Sequence, residues 1–243
     1  EARRQRQMCI RDRANAITLH PNIIRACAQL LDVPPSELRL SQSDVWPKYG
    51  HDDAAAPRDR GERDNQDQRI HVDYPNHMLT HPTEWHRPEA VEIIIYYSDL
   101  RQTMGATAVV PRQGADDPAY RYPIVDSPGI AGKPYINDRA HAEADMRERD
   151  PSVASWRQSL YDREHYTHFK PGDVLLYRHD TWHRGTPMAP GAFRLAHNLT
   201  YRRAACEWIS TLHIGWAWSA YQTPGYLEKL ISAANLEQRA VLG

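Results

Sequence analysis

The chain has 243 residues with 30 basic and 31 acidic side chains, which leave a formal net charge of −1. This balance argues against a nucleic acid or an anionic membrane as the partner. The sequence contains no apolar run of about 18 residues, so we expect no membrane span, and the Arg-rich first residues do not indicate a signal peptide. The three cysteines are widely separated, which argues against a disulfide framework and favours a reducing cytoplasm. We therefore expect one domain that acts on a small molecule, and the oligomeric state stays open.

Residues 1–13 carry five arginines and no helical or strand periodicity. The string at residues 4–12 resembles a translated sequencing-library adapter, although a native basic tail is the alternative. We expect this segment to be non-native or disordered. Residues 14–243 are then one domain, which we expect to be truncated at both ends.

The first predicted helix begins at Pro21 and carries one apolar face, and the prolines after Val33 end it. A strand is predicted over residues 38–46, with alternate residues able to face a pocket. Residues 51–68 are dense in Asp, Arg, Gln and Ala, so we expect a mobile loop or lid there.

The segment 68–74 is predicted to be a strand, in which alternate side chains share a face, so His71 and Asp73 should point the same way. Far downstream, a Pro-Gly-Asp turn leads into an apolar strand at 174–177. His183 follows that strand, and Arg194 comes eleven residues later. Two histidines and one carboxylate around a metal with open positions form the facial triad of non-haem Fe(II) oxygenases.

Two apolar segments, 90–97 and 105–111, are predicted to be central strands, and their short connection favours antiparallel neighbours. Residues 112–168 form an insertion that should cross a barrel mouth, and it contains a charged helix over 138–149 capped by Asn137. The last strand is predicted at 193–203, with Arg194 on one face.

Together these motifs resemble the phytanoyl-CoA dioxygenase family of Fe(II)- and 2-oxoglutarate-dependent oxygenases. The resemblance extends from about Pro21 to the C-terminus. It rests on His71-Val72-Asp73, on the strand at 105–111, on Lys170-Pro171-Gly172-Asp173, and on His183 and Arg194. It implies a mainly β fold, the double-stranded β-helix or jelly roll, with flanking α-helices.

The resemblance also implies roles for single residues. His71, Asp73 and His183 would bind Fe(II), leaving positions for 2-oxoglutarate and O₂, and the carboxylate argues against the related halogenases. Arg194 would bind the distal carboxylate of 2-oxoglutarate. Tyr96, near the family's aromatic position, Thr107 on the neighbouring strand, and Thr186 would make the remaining co-substrate contacts. The alternatives are a structural ion pair for Arg194 and packing in the core for Tyr96 and Thr107.

The sequence departs from the family at two places. Gly185 stands two residues after the distal histidine, where relatives often carry a hydroxyl, so Thr186 or a tyrosine would have to substitute. Residues 111–114 read Pro-Arg-Gln-Gly where the family reads Pro-Gly-Ser-His.

Other histidines are assigned structural or solvated positions. We expect His77 and His81 in a proline-rich loop, His179 outside the ligand set, and His197 on the face of its strand opposite to Arg194.

The implied activity is hydroxylation of an unactivated C–H bond in a small organic molecule, with release of succinate and CO₂. Three alternatives remain open. They are a desaturating, epoxidising or ring-forming oxygenase, a non-catalytic metal-binding sensor or structural protein, and a metal-assisted hydrolase.

Overall fold

A computed structural model describes residues 13–50, 67–72, 87–114, 116–120, 136–166 and 168–206, together with residues 235, 236 and 238. Asp73, His77 and His81, most of the predicted loop at 51–68 and residues 1–12 lie outside these ranges. None of the helices in the described ranges is long and apolar enough to cross a bilayer.

Ten helices and strands organise the described chain, besides a helical segment at residues 13–18 and 3₁₀ turns at Pro35–Glu37 and Pro118–Tyr120. In chain order they are α1 (Pro21–Leu31), β1 (Leu38–Tyr49), β2 (Ala90–Tyr96), α2 (Leu100–Thr103), β3 (Thr107–Val109), α3 (Arg139–Arg149), α4 (Pro151–Tyr161), β4 (Val174–Arg178), β5 (His183–Gly185) and β6 (Phe193–Arg203).

The strands form two antiparallel sheets. The main sheet has the order β1-β6-β2-β4, and the small sheet pairs β3 with β5. This topology corrects one expectation, because the strands predicted at 90–97 and 105–111 are not neighbours. The first becomes β2 and pairs with β4 and β6, whereas the second contributes β3 to the other sheet. A short connection permits antiparallel pairing without requiring it, since long-range partners compete for each strand edge.

Helix α1 covers the outer face of the main sheet, as its apolar periodicity predicts. Its side chains Ile24, Cys27 and Leu31 are buried against outward residues of the strands, such as Ile93 and Leu199. Pro21 occupies the first turn, and Asp32 ends the helix with a left-handed conformation. Burial of this apolar layer leaves the opposite face of the sheet available for polar chemistry.

A bulge in β1 decides which of its side chains face inward. Leu40 pairs with Tyr201 and Gln42 pairs with Thr200, so Ser41 is an extra residue in the strand. Before the bulge Leu40 packs in the outer core, and after it Gln42 contacts the inward side chain of Thr200. Even-numbered positions from 42 to 48 therefore lie on the inner face of the sheet.

The inner face of the main sheet meets the small sheet. The Tyr96 hydroxyl on β2 donates to Thr107 Oγ1 on β3 at 2.9 Å, and the Tyr177 ring on β4 lies 4.9 Å from the His183 ring on β5. These contacts place Tyr96, Thr107 and His183 between the two sheets.

The insertion at 112–168 contains two helices where the sequence predicted one. Helix α3 is capped by Asp138, whose side chain accepts from His141 N at 2.8 Å, so the predicted cap at Asn137 is one residue too early. Asp150 caps α4 and Pro151 begins it, which gives the turn between the helices a capping carboxylate and a proline with a preset φ.

Candidate metal and co-substrate site

His71 and His183 are adjacent, although 112 residues separate them in the chain. Their backbones form an antiparallel bridge, with His71 N 2.9 Å from His183 O and His183 N 2.8 Å from His71 O. Their rings lie 4.4 Å apart between centroids. The predicted strand at 68–74 is reduced to isolated bridges at Gln68 and His71 within its described part.

Both imidazoles are held in the same tautomer by the backbone. His71 Nδ1 lies 3.0 Å from the carbonyl oxygen of Arg69, and His183 Nδ1 lies 2.9 Å from that of Thr181. Because a carbonyl oxygen can only accept, each Nδ1 carries the proton and each Nε2 carries the lone pair. A hydrogen bond of this kind orients a histidine for metal binding and raises its basicity as a ligand.

The third predicted ligand, Asp73, lies outside the described residues. Within the described ranges, no group of three or more His, Cys, Asp or Glu side chains is arranged to hold a metal ion. The two neighbouring imidazoles fit two of the three ligands in a facial triad, and the position two residues after His71 would have to supply the carboxylate.

The insertion helices hold the segment that carries His71. Ile70 N donates to the Tyr161 hydroxyl at 2.9 Å, and Arg157 donates to Ile70 O at 2.9 Å. Glu143 accepts from both Arg157 and Tyr161. Arg157 is fully buried, so this network of α3 and α4 fixes the backbone next to His71 from the side opposite to β5.

Arg194 is buried at the other end of the inner face, with 4% of its surface exposed. Its Nη1 donates to the Gly105 carbonyl, and its guanidinium lies 5.7 Å from the centroid of the Tyr96 ring. Its Nε is buried without a hydrogen-bond partner among the residues that the structure describes. A buried guanidinium with unused donor capacity fits the carboxylate of a bound ligand.

Tyr96 and Thr107 form one side of this pocket. Burial raises the pKa of the Tyr96 phenol, so it remains a neutral donor, and it donates to Thr107 Oγ1. Thr186 is engaged elsewhere, because its hydroxyl donates to the Ala106 carbonyl at 2.7 Å. Tyr96 therefore contacts the Arg194 pocket, whereas the described contacts of Thr186 are to the backbone of the neighbouring segment.

Lys48 is a further residue of this pocket that sequence reasoning did not identify. It pairs in register with Arg194 and lies on the inner face created by the bulge. Burial and the neighbouring Arg194 lower the pKa of Lys48 to about 7. In the described part of the chain, neither cation has a carboxylate within ion-pair distance. The predicted strand ended at residue 46, and only the bulge at Ser41 places Lys48 on the inner face, so strand parity gave no signal for it.

The neighbourhood of Lys48 accounts for the glycine at position 185. A Cβ at Gly185 would lie 2.6 Å from Gln68 Oε1 and 3.4 Å from Lys48 Nζ. Gln68 Oε1 also accepts from Gly185 N at 2.9 Å. The glutamine and the lysine thus occupy the space that a hydroxyl-bearing side chain would need, and Lys48 places a cationic donor close to that position.

The two described rival histidines have structural contacts. His179 is buried and its Nδ1 contacts Glu92, which also accepts from Thr200. His197 lies on the outer face, as predicted, where it contacts Ser43 at 3.1 Å and Tyr97 at 2.9 Å. Burial lowers its pKa to about 4, so it is neutral.

The sequence matches no protein-family model, and no curated protein matches it. Its fold is similar to that of SnoK, described as a non-heme alpha ketoglutarate dependent carbocyclase from nogalamycin biosynthesis, at 18% identity over 85% of this chain and 65% of SnoK with a TM-score of 0.53.

Two other solved structures are less similar. EvdO2 from Micromonospora carbonacea var. aurantiaca, solved with 2-oxoglutarate, has 16% identity over 77% of this chain and 61% of its own, and a TM-score of 0.46. The epimerase SnoN, in complex with Fe3+, alpha ketoglutarate and nogalamycin RO, has 16% identity over 88% of this chain and 66% of its own, and a TM-score of 0.46. The chain spans less than two thirds of SnoK and EvdO2, and at this identity the likeness to SnoK establishes the fold alone.

Proposed function

We propose that the protein is a non-haem Fe(II)- and 2-oxoglutarate-dependent dioxygenase of the double-stranded β-helix type, related to the phytanoyl-CoA dioxygenase family. It would hydroxylate an unactivated C–H bond of a small organic molecule. In the overall reaction substrate, O₂ and 2-oxoglutarate give hydroxylated substrate, succinate and CO₂. The observation that carries this proposal is the pair of adjacent Nδ1-protonated histidines, together with the buried Arg194 and the half-buried Lys48 on the inner face of the main sheet.

His71, Asp73 and His183 would hold the iron, and the bound iron supplies the activation of O₂ and the oxidation of the C–H bond. The carbonyls of Arg69 and Thr181 keep each Nε2 in the ligating state. The bridge between the two histidine backbones keeps the two imidazoles side by side. The two histidines would thus need little rearrangement to bind the metal.

Arg194 and Lys48 would bind the distal carboxylate of 2-oxoglutarate. Two cations on paired strands, with no carboxylate beside them in the described ranges, create a site that favours a dianionic ligand. The Tyr96 hydroxyl and Thr107 support the floor of this pocket. SnoK, which has a similar fold, is described as using alpha ketoglutarate, and this supports the same co-substrate here.

The proposal is tested by anaerobic titration with Fe(II) and 2-oxoglutarate. The complex should develop a visible charge-transfer band, and its titration gives the affinity for 2-oxoglutarate. Arg194→Ala should lower this affinity by roughly tenfold or more, because a charge-assisted bidentate contact is lost. Lys170→Met, which changes an exposed cation, is the control. A correctly folded protein that binds Fe(II) but gives no band would contradict the proposal.

Succinate formation separates an enzyme from a metal sensor. Under O₂ the Fe(II) protein should convert 2-oxoglutarate slowly to succinate even without substrate, and Asp73→Ala should abolish this conversion. A protein that binds both iron and 2-oxoglutarate but forms no succinate would instead be the non-catalytic metal-binding protein. Hydroxylation, desaturation and epoxidation are then distinguished by the mass change of the product.

A further inference from the structure

A row of polar side chains continues along the inner face of the main sheet beyond the two cations. The β1 bulge at Ser41 places Asp44 and Trp46 on the same face as Lys48. On β6, Asn198 lies on the same face as Arg194, because the two positions differ by four. We define Asp44, Trp46 and Asn198 as the polar wall.

The register of β1 and β6 fixes the layout of this wall. Asp44 pairs with Asn198, and Trp46 pairs with the small residue Ala196. At about 3.3 Å per residue, Trp46 lies roughly 7 Å and Asp44 roughly 13 Å along the strand from Lys48. The wall therefore adjoins the two cations of the proposed co-substrate pocket along the same pair of strands.

The side chains of Asp44 and Asn198 use little of their hydrogen-bonding capacity within the described part of the protein. The Asp44 carboxylate accepts a hydrogen bond from Gln42 Nε2 at 3.3 Å. Within the described ranges Asp44 has no ion pair, and the Asn198 amide has no hydrogen bond. Both side chains are only partly exposed. Partly buried acceptors and donors of this kind are more stable when a ligand completes their hydrogen bonds.

The next row of the same face is different. Thr200 donates to Gln42 at 3.0 Å and to Glu92 at 2.8 Å, and Glu92 also contacts His179. These four side chains are almost fully buried. Hydrogen bonds join these four side chains to one another, so this row is a structural end to the wall, and Asp44 and Asn198 are the wall's groups with hydrogen-bonding capacity left for a ligand.

We infer that Trp46, Asp44 and Asn198 bind the substrate, and that this substrate carries a hydroxylated ring, as in a sugar or a sugar-like cyclic polyol. Trp46 is 41% exposed, which leaves ring surface for the C–H face of such a molecule. The Asp44 carboxylate accepts hydrogen bonds from hydroxyl groups, and the Asn198 amide both donates and accepts.

The same wall disfavours an acyl chain as the substrate. A hydrocarbon lying against Asp44 and Asn198 would remove them from water without giving hydrogen bonds in return, which is costly for a carboxylate above all. The inference deepens the proposed function and rests on it for the reaction, but the binding of a ring by the wall can be measured without iron.

The experiment uses the full chain and saturation-transfer difference NMR, which detects weak ligands. The probes are the methyl glycosides of glucose, galactose, rhamnose and glucosamine, with decanoyl-CoA as the acyl probe. We expect at least one neutral glycoside to bind. Asp44→Ala and Asn198→Ala should each weaken it by roughly tenfold, because each removes hydrogen bonds to the ring. Val45→Ala, on the outward face of the same strand, should leave its affinity unchanged.

Several outcomes would overturn the inference. They are binding of decanoyl-CoA but of no glycoside, binding of the aminated glycoside alone, or glycoside binding that neither Asp44→Ala nor Asn198→Ala weakens. Thermal unfolding of each variant identifies any that fails to fold, and Trp46→Phe then serves as the replacement, with weaker glycoside binding expected. If the iron and 2-oxoglutarate band is absent while Asp44-dependent glycoside binding remains, the proposed function fails and the polar wall stands.

Discussion

Replacing Lys48 with methionine removes one of two neighbouring cations while keeping a side chain of similar length. Lys48 and Arg194 are opposite in register, and burial together with Arg194 lowers the pKa of Lys48 to about 7. The two charges therefore oppose folding in the absence of a ligand, and both would favour a bound dicarboxylate. We therefore expect Lys48→Met to weaken 2-oxoglutarate binding and to stabilise the unliganded protein.

The expected size follows from the contact that is lost. A hydrogen bond from a charged group contributes about 1.5–3 kcal/mol, so 2-oxoglutarate affinity should fall by roughly 10- to 150-fold. The unliganded protein should become more stable. Because the folded pKa of about 7 is below the ordinary value of 10.5, the destabilisation by Lys48 is fully present below pH 7. It disappears as the pH rises toward 10.5.

The assay is the anaerobic titration of the Fe(II) protein with 2-oxoglutarate between pH 6 and 8.5, with thermal unfolding measured in parallel without 2-oxoglutarate. Wild-type affinity should decline as the pH rises through about 7, since binding requires the ammonium form of Lys48. Lys48→Met should lack this dependence, and Lys170→Met should behave as the wild type.

One result would refute this reasoning. If Lys48→Met lowered the thermal stability at pH 6 and bound 2-oxoglutarate as tightly as the wild type, Lys48 would be a packing residue rather than a ligand for the co-substrate.

Three further outcomes are expected. Arg157→Met should destabilise the protein by about 3–5 kcal/mol in urea unfolding, because it removes the cation that is paired with Glu143. It should also weaken Fe(II) binding, because it releases the backbone beside His71; unchanged Fe(II) affinity would contradict its role in positioning His71. Gly185→Ala should lower the free energy of unfolding by about 1–3 kcal/mol, because the new methyl group displaces Gln68 from the Gly185 amide. Adding Gln68→Ala to this variant should lower the free energy of unfolding little further, and additive losses in the double variant would exclude this shared contact. The folded pKa of His197, about 4, is below its ordinary 6.5, so stability should fall by about 2 kcal/mol between pH 7 and pH 5, and His197→Gln should reduce this slope in denaturant unfolding.

The sequence by itself determined the local elements whose apolar pattern is strong. The helix from Pro21, the strand at 193–203 and the outward orientation of His197 follow from periodicity and strand parity, and the structure has each of them. Such features depend on side chains within one segment, so a single sequence contains enough information to predict them.

The tertiary structure decided which segments became neighbours. The strands at 90–97 and 105–111 separate into different sheets, because each pairs with residues far along the chain. The contact between His71 and His183 likewise depends on a bridge between distant segments and on helices α3 and α4, which hold Ile70. No local pattern encodes these pairings, since many long-range arrangements are compatible with the same propensities.

The inner surface of the main sheet depended on a single extra residue. Strand periodicity alone would place all the even-numbered residues from 38 to 48 on the outer face with Leu38 and Leu40. The bulge at Ser41 instead moves the even-numbered residues from 42 onward to the inner face. Lys48, Trp46 and Asp44 join the site only for that reason. A bulge is stabilised by the register of the partner strand, so the tertiary pairing with β6 decided which side chains of β1 could face a ligand.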